Sequence, residues 1–93
     1  MKIVGYIEKV THDLSPDIWR KMIDELPELE RSHAEIEFSN LLQAFVVERN
    51  ERIGEFVWCE DDDEIVVKGN LASLRPLAEH IATRIGGRFM PSL

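Results

Sequence analysis

The segment Leu41–Gly69, LLQAFVVERNERIGEFVWCEDDDEIVVKG, is the only part of the chain dense in β-formers and regularly broken by turn residues. Leu42–Arg49, Glu55–Glu60 and Glu64–Lys68 are each rich in Val, Ile, Phe or Trp and bounded by polar residues or Gly, the signature of strands. Three antiparallel strands joined by two hairpins follow. Because side chains alternate faces, the length of each loop decides which residues share a face. An even-length loop around Asp61–Glu64 places Phe56 and Trp58 beside Ile65 and Val67; an odd one gives that place to Val57 and Cys59. The even register suits a four-residue turn rich in Asp and buries the larger side chains. The same reasoning at Asn50–Ile53 sets Phe45 across from Trp58. Burying these two aromatics is worth about 2–3 kcal/mol each.

This register has a second consequence. Val57, Cys59 and Val66, with Ala44 and Val46 and extended by Val4 and Tyr6, are expected on the sheet face away from any helix. An apolar face of that kind needs a cover: a second copy packed sheet to sheet, another protein, or the segment Glu28–Asn40.

Elsewhere the chain reads more locally. Lys2–Val10 alternates with apolar residues on both sides, which suits an interior strand. Leu14-Ser15-Pro16-Asp17 starts a helix: Ser15 caps the first amides, Pro16 fits the first turn, Asp17 faces the positive end and Leu14 staples onto Trp19. Ile18, Met22 and Leu26, with Trp19 and Ile23, form its apolar stripe, and Pro27 ends it. Between Glu28 and Asn40, Ala34, Ile36 and Phe38 alternate as in a short strand, although Ala34, Phe38, Leu41 and Phe45 also fit helical spacing. After Gly69, Leu74, Leu77, Ala78, Ile81, Ala82 and Ile85 make a helical stripe. Asn70 and Ser73 are both able to cap it, but Pro76 belongs in the first turn, which selects Ser73 as the cap and leaves Leu71 and Ala72 in a preceding turn. Gly86-Gly87 stops the helix, Arg84 suits its negative end, and Arg88–Met90 forms a last edge strand before Pro91.

The expected fold is therefore α+β, a two-layer sandwich in which two helices cover one face of an antiparallel sheet. The order β-α-β-β-β-α-β, with one extra short strand admitted, is ferredoxin-like. With 93 residues, 44% hydrophobic, residues 1–93 are expected to form a single domain around one core.

Charge and cysteine content narrow the function classes. The net charge of −7 argues against nucleic acid, whose phosphates require clustered Lys and Arg. Residues 1–64 carry 17 of the 18 acids and seven of the 11 basic residues, a net of −10; residues 65–93 carry Glu79 against Lys68, Arg75, Arg84 and Arg88, a net of +3. Either the C-terminal cations balance acidic surface inside the fold, or the acidic portion faces a basic partner. One cysteine, Cys59, excludes an intrachain disulfide and fits a reducing, cytoplasmic location. No apolar run approaches membrane-spanning length, and MKIVGYIEKV lacks the features of a signal peptide.

No catalytic constellation is legible. Glu60-Asp61-Asp62-Asp63-Glu64 places five carboxylates at a hairpin tip, but consecutive side chains diverge and no turn Gly is present, unlike a calcium loop. A solvated turn that discourages edge pairing, or contact with a Lys- or Arg-rich surface, explains it better. His12, His33 and His80 show none of the short spacings of a zinc site, with Cys59, with Asp13 or with one another. Cys59 lies between Trp58 and Glu60, without the cation an activated thiolate requires. The chain thus reads as a small acidic protein-binding module, of inhibitor, immunity or regulatory type, with no cofactor and no catalytic residue. Its expected contact residues are Glu60, Asp61, Asp62, Asp63, Glu64, Val57 and Val66. The alternative is a small-molecule binder or minor enzyme whose pocket between sheet and helices uses Trp19, Tyr6 or a His.

Overall fold

The computed structural model describes residues 2–11, 14–31, 43–59 and 62–92. The chain runs β1 (Ile3–Lys9), α1 (Pro16–Glu25), β2 (Leu29–Arg31), β3 (Gln43–Glu48), β4 (Glu51–Cys59), β5 (Glu64–Gly69), α2 (Leu71–Ile85), β6 (Gly87–Pro91). All six strands join one antiparallel sheet in the order β2-β3-β4-β5-β1-β6. The α+β class and the antiparallel sheet are as expected. The strand reading of Ala34, Ile36 and Phe38 falls outside the described residues, whereas Leu29–Arg31, just ahead of them, forms edge strand β2.

Both helix starts are set by their caps. The Ser15 hydroxyl accepts the Ile18 N–H at 3.3 Å, with Pro16 at the first helical position. At α2 the cap is Asn70, not Ser73: Asn70 Oδ1 accepts the Ser73 N–H at 3.1 Å. Pro76 consequently sits inside the helix rather than in its first turn. It lacks the N–H that would reach back to Ala72. Both residues are exposed, so the missing bond lies on the outer side of the helix. Gly86 closes α2 in left-handed geometry with φ of 76°, its N–H reaching the Ala82 carbonyl.

The core lies between the helices and one sheet face. Trp19, Met22, Ile23 and Leu26 of the α1 region and Leu74, Ala78, Ile81, Ala82 and Ile85 of α2 meet Ile7, Phe56, Trp58, Ile65 and Val67. Trp19 and Phe56 pack edge to face with centroids 6.0 Å apart. Ile18, assigned to the stripe by spacing, is 38% exposed; the helix presents Trp19, Met22 and Ile23 instead.

The even register of the second hairpin is observed: Trp58 pairs Ile65 and Phe56 pairs Val67. The first hairpin differs from expectation. Its turn has two residues, Arg49 and Asn50, with φ of 53° and 65°, the left-handed pair a tight hairpin with native twist requires. A bulge follows, since Val47 pairs Arg52 while Val46 pairs Gly54. The combined parity turns β3 over: Ala44 pairs Phe56, and Phe45 pairs Glu55. Ala44 and Val46 are therefore core residues, and Phe45 lies on the other face, under the Arg52 guanidinium at 4.1 Å from its ring centre. Val4 also moves inward, as the extra residue of a bulge in β1 between Ile3 and Gly5.

Candidate functional site

With both helices on one side, the other side of the sheet is open among the described residues. The strand registers align its outward side chains into rows. Across β3, β4, β5, β1 and β6 runs Gln43, Val57, Val66, Tyr6, Met90, each paired with the next. At ordinary strand spacing this row is about 19 Å long. Val57, Val66 and Tyr6 are half-buried, and Met90 is exposed.

Charged rows flank it on both sides. One is Cys59, Glu64, Glu8, Arg88. The other is Glu30, Phe45, Glu55, Lys68, Ile3. In the second row Lys68 lies 3.5 Å from Glu55, and Arg52 reaches Glu30 at 2.8 Å while covering Phe45. In the first, Arg88 lies 3.6 Å from Glu8. Glu64 faces Glu8 across the ladder, and its carboxyl pKa is raised above the usual range by loss of hydration, then by the charges of Asp62 and Glu8.

Of the contact residues read from the sequence, Val57 and Val66 face each other in the central row and Glu64 lies at the edge of the same face. Asp62 and Asp63 are exposed in the hairpin turn, Asp63 with φ of 49°. Glu60 and Asp61 lie outside the described residues, as do His12, Asp13 and His33. The Cys59 thiol donates to the Asp62 carboxylate over 3.6 Å, so its polar neighbour is an acid rather than a cation. Among the described residues, no three His, Cys, Asp or Glu side chains converge as a metal site would require. Sequence reasoning missed Met90 and Phe45 on this face. Met90 follows only from the β1–β6 register, and Phe45 only from the first hairpin's parity.

On the helix side, a groove of about 380 Å³ lies between α2 and the β3–β4 hairpin. Val46, Val47, Ile53 and Leu77 line it, with Glu28, Glu48, Ser73 and His80 as its polar groups. Of the contacts expected in such a pocket, His80 is present, Trp19 is fully buried in the core and Tyr6 is on the opposite face.

The four C-terminal cations are all at ion-pair distance from carboxylates: Lys68 with Glu55, Arg75 with Glu79, Arg84 with Glu25 and Arg88 with Glu8. Three of those partners belong to the acidic part of the chain, so much of the charge segregation in sequence is balanced in space. No helix among the described residues is long and apolar enough to cross a membrane. Comparison with known proteins finds no match to a family model, to a curated protein or to a solved structure.

Proposed function

We propose that this protein works by binding another protein across its open sheet face, as an inhibitor, immunity-type or regulatory module without chemistry of its own. The observation that carries this reading is the row Val57, Val66, Tyr6, Met90, an apolar line bordered by charged rows. Such a pattern, apolar in the middle and polar at the rim, is the anatomy of a recognition surface. A cytoplasmic location is part of the proposal and is supported by the free thiol of Cys59. The scaffold itself is read as ferredoxin-like, enlarged by strands. Support comes from its two crossovers: β1-α1-β2 and β5-α2-β6 each return parallel to the strand they left. NMR contacts from Tyr6 to both Val66 and Met90 test the placement of β1.

The functional test is capture with the full chain as bait, at physiological and low salt. The wild type and a Lys21→Glu control on the exposed side of α1 are expected to retain one partner, and Val66→Glu is expected to lose it. Recovery that ignores Val66→Glu, or of nothing but the chain itself, refutes the reading. A second reading, small-molecule binding, is favoured only by the apolar groove beside His80. Fragment screening by NMR checks it, with shifts at Val46, Leu77 and His80 expected and their absence decisive against it.

A further inference from the structure

The outward residues of β5, a strand in the middle of the open face, are Glu64, Val66 and Lys68: acid, apolar, base. Turned end for end, this order is its own complement. We propose that the open face pairs with a second copy of itself, about a two-fold axis running along the row Val57, Val66, Tyr6, Met90. The inference rests on the reading of this face as the binding face and commits it, while the other protein is absent, to one occupant, a second copy of the chain.

A rotation about that axis keeps each strand in its column and reverses its direction. Each residue of the apolar row then meets its own copy, as an isologous contact demands. The charged row beyond Val66 lands on the charged row before it. Glu64 therefore meets the second copy's Lys68, and Lys68 meets that copy's Glu64, so the contact occurs twice. In the free chain Glu64 is crowded by Glu8 across the ladder and by Asp62 in the turn, while Lys68 has one acid, Glu55, beside it. The rotation sets a cation directly against Glu64, which across the ladder faces Glu8. It sets Cys59 against Glu55 and Glu8 against Ile3, and neither contact opposes like charges. Aligned packing of two twisted sheets about 10 Å apart is the ordinary geometry of a sandwich. Three rows of four or five strands each bury roughly 1,000 Å² in total, at the lower bound of specific interfaces, so a dimer of moderate affinity is expected.

Sedimentation equilibrium across micromolar to near-millimolar concentration tests this. The wild type is expected to dimerise, and Glu64→Lys and Lys68→Glu are each expected to weaken it about tenfold or more. An equimolar mixture of these two variants is expected to restore association as a heterodimer, because each then carries the charges the other needs. The double variant Glu64→Lys/Lys68→Glu is expected to self-associate like the wild type. Circular dichroism of each variant separates lost association from lost folding. A monomeric wild type, a dimer indifferent to the charge reversals, or single variants that fail to complement overturns the inference. If the wild type stays monomeric but captures a different protein through Val66, the partner-binding reading stands and the self-pairing falls. If a charge-matched dimer forms and nothing else is captured, the reverse holds.

Discussion

The Leu74 side chain of α2 stands directly on Gly54 of β4. A Cβ added at Gly54 would meet Leu74 Cδ1 at 2.6 Å and Cδ2 at 2.7 Å. Gly69 lies opposite Gly54 in the ladder, and its Cβ would meet the same Leu74 methyl at 2.7 Å. Two facing glycines thus make the floor on which the first part of α2 rests. Gly54→Ala is expected to cost about 1–3 kcal/mol by overpacking, and Leu74→Ala about 2–5 kcal/mol by cavity formation. The double variant is expected to lose less than the sum, because the smaller side chain relieves the clash. Urea unfolding followed by tryptophan fluorescence measures all three; strict additivity contradicts the contact.

The cap of α2 is Asn70, where sequence spacing selects Ser73. Asn70→Ala is expected to cost about 1 kcal/mol, since the Ser73 N–H loses its acceptor. Ser73→Ala keeps that N–H and is expected to change stability by less than about 0.5 kcal/mol. Equilibrium denaturation that reverses this order places the cap at Ser73.

Helix α1 permits a similar test with neighbouring residues. Trp19 is fully buried against Phe56, and Trp19→Ala is expected to cost about 3–5 kcal/mol. Ile18 is 38% exposed, and Ile18→Ala is expected to stay within about 0.5 kcal/mol of the wild type. Comparable losses at both positions show that the helix buries a different face.

Glu64 makes stability depend on pH in the opposite sense to a salt-bridged carboxylate. Its folded-state pKa is raised by lost hydration, Asp62 and Glu8, so the folded chain holds this proton more tightly than the unfolded chain. Its contribution favours the folded state as pH falls through that range and is lost as pH rises. In dilute solution, where the chain is monomeric, Glu64→Gln is therefore expected to be the more stable protein at neutral pH, with the difference vanishing in acid. Thermal unfolding of both proteins between about pH 4 and about pH 8 checks this. A difference that grows on acidification has the wrong sign.

The open face was only partly legible. Val57 and Val66 were readable because the Asp-rich loop holds an even number of residues and sits next to them. Plain alternation assigns Ala44, Val46 and Val4 to the same face, whereas all three are core. Each lies beyond an irregularity: the bulge opposite Val46 and Val47, or the one between Ile3 and Gly5. A bulge adds one residue, and one residue exchanges the faces of everything past it.

What the sequence determined by itself was local. The Ser15-Pro16-Asp17 start and the Leu26-Pro27 stop of α1, the Gly86 stop of α2 and the pairing of Trp58 with Ile65 depend on interactions within a few residues of one another. The tertiary structure alone decided the six-strand order, the inward turn of Ala44 and Val46, and the alignment of Val57, Val66, Tyr6 and Met90 into one row. These depend on registers between strands distant in sequence, where the burial of whole faces outweighs the preferences of any single residue.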